Sequence, residues 1–229
     1  MSTETPTPPA TQPKSVSLIL TLGIIAMLSG FFVVLTVQLT ADRIAANEQR
    51  ALENAVFAVL PDATSSRNFL LDESGLQPLG DDEIARANVF AGYTAEGELA
   101  GVAMEGSARG YQDVVKVLYG YALDSECVIG MTVLQSTETP GLGDKVSTDP
   151  DFLANFDCLE ARVNEEGTAM ANEIVPVKNG NKTQPWQIDG ISGATVTSFA
   201  VGNAIRESTN ELLPLLMKNK EALIPGSGL

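Results

Sequence analysis

The sequence predicts an α+β protein. One domain with a mostly antiparallel, partly curved sheet and flanking helices is carried on a single N-terminal transmembrane helix. Three observations predict this. Residues 15–41 are apolar and carry no charged side chain. The middle of the chain holds two pairs of strand-like segments joined by short turns. Helical periodicity appears before them, at 42–60, and after them, from about Ala194 to Lys218.

The elements follow in order. Residues 1–14 form a tail whose text, "MSTETPTPPATQP", is too rich in Ser, Thr and Pro to build a core. The stretch 15–41 exceeds the ~20 apolar residues that cross a bilayer as a helix. A cleaved signal would have an apolar region of ~7–15 residues ending in a small-x-small site. "VLTVQLTADR" at the far end offers no such site, so a retained anchor is expected. Lys14 and the terminal amine favour a cytoplasmic N-terminus, against Arg43 and Arg50 on the other flank. That orientation puts 42–229 outside the cytoplasm, on the periplasmic or extracytoplasmic side of the inner membrane.

Beyond the anchor, Ile44, Ala45, Ala51, Leu52, Ala55, Val56 and Val59 recur at helical spacing, and Pro61 ends the helix. "NVFAGYTAEGELAGVAMEG" reads as two strands turning near Glu96 and Gly97. "QDVVKVLYGYALDSECVIGMTVLQST" reads as two more, turning at Asp124 and Ser125. "DPDFLANFD" predicts a short helix capped by Asp149, and a strand is expected around Ile174–Val177. The closing helix carries Val201, Ala204, Ile205, Leu212, Leu213 and Leu216 on one face, with a kink or break expected at Pro214.

Composition excludes several chemistries. The chain has 29 acidic and 14 basic residues, a net charge of −15, which argues against nucleic acid and anionic lipid as partners. Glu4 and Lys14 cancel, so residues 42–229 carry the whole −15. There is no histidine, hence no Ser-His-Asp or Cys-His catalysis and no imidazole-ligated metal. Two cysteines, Cys127 and Cys158, are too few for a four-thiolate metal site. Both lie in apolar, strand-like text and are expected to be separate buried thiols, with a disulfide as the alternative. No catalytic residue and no metal ligand is assigned.

Two short stretches carry the functional signal. "DGISGATVTS", Asp189–Ser198, lies where loop gives way to the last helix. A helix start has unpaired N–H groups and a partial positive charge, and so suits a phosphate. Gly193 and Ala194 leave the backbone accessible. The bland alternative is that Ser192, Thr195 or Thr197 simply caps the helix. In "STETPGLGDK", Ser136–Lys145, two glycines flank Leu142 after Pro140. That text predicts a tight turn, or a loop whose backbone lies close to a flat ligand, with polar contacts from Glu138 and Thr139.

The text at Asp189–Ser198 resembles the covalent flavinylation motif of the FMN-binding domain family. "ETPGLG" at Glu138–Gly143 is similar to that family's second signature, and "GYQDV" at 110–114 to a shorter Gly-Tyr element. With the anchor and the following helix, the likeness covers roughly residues 16–218. It extends to the G subunits of Rnf-type ion-translocating ferredoxin:NAD oxidoreductases and to the C subunits of sodium-translocating NADH:quinone reductases. The resemblance implies FMN attached covalently to Thr195 through a phosphoester, with Thr197 as the second choice. Asp189, Ser192, Gly193 and Ala194 would be read by a flavin transferase and would surround the phosphate. Gly141, Leu142 and Gly143, with Glu138 and Thr139, would line the flavin. Ser136 and Asp113 depart from the family pattern, which often has His and Gly there.

The implied function is a membrane-anchored flavoprotein relay that moves electrons between the other membrane and peripheral subunits of an ion-translocating complex. A flavin passes electrons without an acid from this chain, which suits the missing histidine. The quinone-reductase relative is the alternative within the class. A cofactor-free extracytoplasmic scaffold or binding module is the alternative outside it.

Overall fold

The computed structural model describes residues 15–224, without the side chains of Asp81, Asp82 and Ala85. The expected tail at 1–14 lies outside these residues. The chain divides into two units, one ending at Glu48 and one beginning at Gln49.

The first unit is helix. Helix α1, Ser15–Val59, starts in the charge-free stretch, and its apolar part is long enough to cross a membrane. None of that apolar stretch is buried against protein. Leu18, Ile25, Phe32 and Leu39 all face outward, as a lipid-facing helix requires.

The second unit begins with the end of α1 and is built around an antiparallel sheet. Strands β1 (Ser65–Asp72), β2 (Gly75–Leu79), β3 (Val89–Tyr93), β4 (Leu99–Arg109), β5 (Val114–Ala122), β6 (Cys127–Gln135) and β7 (Leu159–Glu160) lie in the order β2-β1-β3-β4-β5-β6-β7. Helix α2, Pro150–Leu153, precedes β7. Strands β8 (Val175–Val177) and β9 (Gln187–Asp189) form a short parallel pair before the closing helix α3, Thr195–Asn219. Both central hairpins turn where the text predicts, and Asp149 caps α2 by accepting from the N–H groups of Asp151 and Phe152. The β1–β2 hairpin and β9 are not foreseen, and β7 is the strand-like text after Cys158.

Alternation along the strands gives the sheet two buried faces. Val115, Val117, Tyr119 and Tyr121 of β5 join Val102 and Met104 of β4 and Val201, Ala204 and Ile205 of α3 in the larger core. On the other face, Leu118 and Ala103 meet Val56, Val59 and Leu60 from the end of α1. The backbone of α1 is received closely there. A Cβ on Gly120 would lie 2.1 Å from the Val59 carbonyl oxygen, and one on Gly130 would lie 3.0 Å from it. Glycine in the middle of β5 weakens a strand in isolation, but here it admits the helix end.

Two expectations are corrected. Cys127 and Cys158 are not separate buried thiols: they form a disulfide, with Cα atoms 5.1 Å apart. Cys127 opens β6 and Cys158 precedes β7. Pairing of Cys127 with Glu160 across those strands brings the two together, a relation 31 residues apart that local strand text does not reveal. Pro214 neither ends nor interrupts α3, which runs on to Asn219. Proline forfeits one helical hydrogen bond, but Leu212, Leu213, Pro214 and Leu216 are all buried, and their packing holds the turn.

Candidate functional site

Three loops converge on the first turn of α3. The carboxylate of Glu138 is the point where they meet. It is 8% exposed, accepts the Thr197 hydroxyl at 2.7 Å through Oε2, and accepts the Gln112 N–H at 3.0 Å through Oε1. The Gln112 side chain donates in turn to Thr139 Oγ1 at 3.0 Å. Thus "GYQDV", "ETPGLG" and "SGATVTS", widely spaced in sequence, share one hydrogen-bonded centre.

Two glycines make room for that carboxylate. A Cβ on Gly110 would lie 2.5 Å from Glu138 Oε1, and one on Gly143 would lie 2.5 Å from the Glu138 Cβ. Gly143 is held by its N–H bond to the Thr139 carbonyl at 3.0 Å. Gly143 of the second motif and Gly110 of the Gly-Tyr element therefore serve the buried glutamate as much as any ligand. Gly141 has φ +78, which supplies the turn after Pro140. Ser136, one of the departures from the family pattern, accepts the Glu138 N–H at 3.3 Å through its hydroxyl. Asp113, the other, accepts the Val114 N–H.

Burial raises the pKa of the Glu138 carboxyl, but the hydrogen bonds outweigh it. The Thr197 hydroxyl and the N–H groups of Gln112, Tyr111 and Asp113 hold the group below its ordinary value. It is therefore an anion at neutral pH, and no Lys or Arg forms a salt bridge with it among the described residues.

The start of α3 is open. Gly193 has φ +85 and turns the chain into the helix. Ala194 occupies the capping position and makes no side-chain capping bond. Neither Ser192, Thr195 nor Thr197 caps the helix, so the bland reading of these hydroxyls does not describe the structure. Ser198 instead braces the turn from inside, accepting from the Ile191 N–H at 3.0 Å and donating to the Ala194 carbonyl at 2.9 Å. Among the described residues, no side chain caps the first helical N–H groups.

The candidate threonines differ sharply. Thr197 is 3% exposed and committed to Glu138. Thr195 is half-buried at the first helical position, and its hydroxyl makes no hydrogen bond among the described residues. Ser192 and Gly193 beside it are exposed and Ala194 is buried. Large apolar side chains flank the Glu138 centre while facing outward: Tyr111 at 71%, Leu142 at 49% and Val196 at 52% exposure.

Asp189 lies apart from this centre. Its carboxylate accepts the N–H groups of Gly180 at 3.0 Å and Asn181 at 3.3 Å, and so shapes the loop between β8 and β9. Its backbone is gripped by Asn155, which accepts the Asp189 N–H at 2.9 Å and donates to the Asp189 carbonyl at 3.1 Å. Lys182 donates to the same Asn155 amide at 3.0 Å. Nothing in the sequence singles out Asn155, and Gln112 stands out only as part of "GYQDV". Each acts across a gap in sequence, 34 residues for Asn155 and 27 for Gln112 with Thr139, that no local pattern shows. A cleft of about 220 Å³ bordered by Lys145, Asn179, Asp189 and Ser192 runs beside the approach to α3.

Comparison with known proteins agrees with these features. Residues 110–210 match the FMN-binding domain family, and residues 20–59 match the RnfG N-terminal region. The G subunit of the ion-translocating oxidoreductase complex of Vibrio vulnificus is 31% identical over 194 residues, covering 82% of this chain and 85% of that protein. Its counterpart in Methanosarcina acetivorans is 26% identical, covering 84% and 91%. The crystal structure of Shewanella oneidensis NqrC has the same fold, with a TM-score of 0.62 at 20% identity over 78% of this chain and 98% of that one. The C subunit of the Na(+)-translocating NADH-quinone reductase from Parabacteroides distasonis aligns with a TM-score of 0.57 at 20% identity, over 77% and 95%. An FMN-binding domain behind an RnfG-type N-terminal helix, matched along most of the chain, places this protein in the G-subunit family of ion-translocating oxidoreductase complexes.

Proposed function

We propose that the chain is the FMN-carrying, membrane-anchored electron-transfer component of such a complex, with FMN joined to Thr195 by a phosphoester. The observation that carries this reading is the contrast between the two threonines. Among the described residues, Thr195 offers an unpartnered, half-exposed hydroxyl at an uncapped helix start, while Thr197 is buried and hydrogen-bonded to Glu138.

The residues present fit the group. The open N–H groups and partial positive charge of α3 suit a phosphate on Thr195. Gly193 and Ser192 are exposed, so an installing enzyme can reach the hydroxyl. Tyr111, Leu142 and Val196 present apolar surface of the kind a flat ring covers. When bound, FMN supplies the electron-carrying chemistry; this chain binds, orients and surrounds it electrostatically. A separate flavin transferase would install it, and the other membrane and peripheral subunits of the complex would deliver and accept electrons in a ferredoxin- and NAD-linked reaction.

The Cys127–Cys158 disulfide favours an oxidising compartment, which supports an extracytoplasmic domain and a cytoplasmic N-terminus. The test is in-gel flavin fluorescence after denaturation, with the chain coexpressed with a flavin transferase. Wild type and Thr197→Val should fluoresce and Thr195→Ala should be dark. Fluorescence surviving in Thr195→Ala overturns the attachment site.

A further inference from the structure

We infer that the buried Glu138 carboxylate acts as a fixed negative charge that lowers the reduction potential of the flavin bound at the start of α3. The inference rests on the proposed attachment at Thr195.

Four observations carry it. Glu138 is 8% exposed, so water screens it weakly. No basic side chain forms a salt bridge with it among the described residues; the nearby Arg109 guanidinium donates to the Gln112 carbonyl instead. It is tied to α3 by the Thr197 hydroxyl, two residues beyond the attachment position, and so stands at the same helix end as the cofactor. Gly110 and Gly143 both leave space that a Cβ would take from it, so the carboxylate occupies a fitted cavity between two loops.

Both Glu138 oxygens accept, Oε2 from the Thr197 hydroxyl and Oε1 from the Gln112 N–H, a demand that an ionised carboxylate meets and a glutamine amide, with one acceptor oxygen, does not. Burying an unpaired anion is costly unless hydrogen bonds compensate, and here several donors are spent on it. Each electron accepted by the flavin adds negative charge unless a proton accompanies it. A neighbouring anion opposes that addition and makes the reduced cofactor the stronger donor. Glu138 touches none of the reacting atoms in this account; it acts through the field it sets up.

The experiment is redox titration of the purified, flavinylated chain, wild type against Glu138→Gln and Thr197→Val, with intact mass recording the covalent FMN. Glu138→Gln should carry the FMN mass and titrate at a more positive midpoint potential. A loaded Glu138→Gln with an unchanged or lower potential overturns the inference. Where Glu138→Gln does not load, Thr197→Val decides. Removing that donor concentrates the negative charge of the carboxylate, so the potential should fall below wild type, and an unchanged or higher value overturns the inference. Absence of FMN mass from the wild-type Thr195 peptide overturns the attachment reading and the inference together.

Discussion

The hydroxyl of Thr197 donates to the Glu138 carboxylate at 2.7 Å, joining two motifs 59 residues apart in the chain. This bond ties the β6–α2 loop to the first turn of α3. It also commits the Thr197 hydroxyl, whereas that of Thr195 makes no hydrogen bond among the described residues.

The same bond predicts an acid-sensitive contribution to stability. The folded Glu138 carboxyl lies below its ordinary value because the Thr197 hydroxyl and neighbouring N–H groups favour its charged form. Its contribution is therefore fully present above the unfolded value of ~4.3 and is lost as pH falls through the lowered folded value. The melting temperature of wild type should exceed that of Glu138→Gln at neutral pH, and the gap should close in acid. A gap that widens towards low pH contradicts the assignment. Thr197→Val should cost ~1.5–3 kcal/mol, the worth of a hydrogen bond to a charged group.

Gly120→Ala should loosen the contact between α1 and the sheet. The added methyl would meet the Val59 carbonyl at 2.1 Å, and backbone cannot move aside as a side chain does. The expected loss is ~1–3 kcal/mol or more. At roughly 2–4 °C per kcal/mol for a domain of this size, it is visible in a thermal melt. An unchanged melt contradicts the close approach.

Removing the disulfide should destabilise the domain under oxidising conditions alone. Cross-linking residues 31 apart constrains the unfolded chain, worth ~2–4 kcal/mol. A Cys127→Ala, Cys158→Ala double variant should unfold at lower urea than wild type without reductant. With reductant present, the two curves should draw together.

Tyr121→Phe should stabilise. The Tyr121 hydroxyl is buried with no hydrogen-bond partner among the described residues, a cost of ~1–3 kcal/mol that phenylalanine avoids. Tyr119→Phe should do the opposite, because Tyr119 shares a 2.8 Å hydrogen bond with Ser208 inside the same core. Urea midpoints of the two variants on either side of wild type would bear this out; a destabilised Tyr121→Phe contradicts it.

Much of the fold is legible locally. The long apolar helix, both central hairpins, the Asp149 cap and the span of α3 all follow from hydrophobic period, turn residues and caps, which depend on neighbours a few residues away. The β1–β2 hairpin is not legible, because "SSRNFLLDESGLQPL" alternates poorly and carries Pro78 in a strand. β2 tolerates that proline as the edge of the sheet. The motifs at 138–143 and 189–198 are legible as text, but their division of labour is not. Asp189 braces a loop, Glu138 gathers three loops, Asn155 carries no sequence signal, and Gln112 is legible only as part of "GYQDV".

By itself the sequence determined the long apolar N-terminal helix, the acidic α+β domain, the absence of imidazole chemistry and the text around Thr195. Each of these is a property of composition or of short-range spacing. Only the tertiary structure decided that Cys127 and Cys158 pair, that α3 continues through Pro214, that Glu138 is a buried anion and that Thr197 rather than Thr195 is its partner. Those outcomes depend on which distant segments the sheet brings within hydrogen-bonding reach of each other, where burial and hydrogen bonding settle the state of each group.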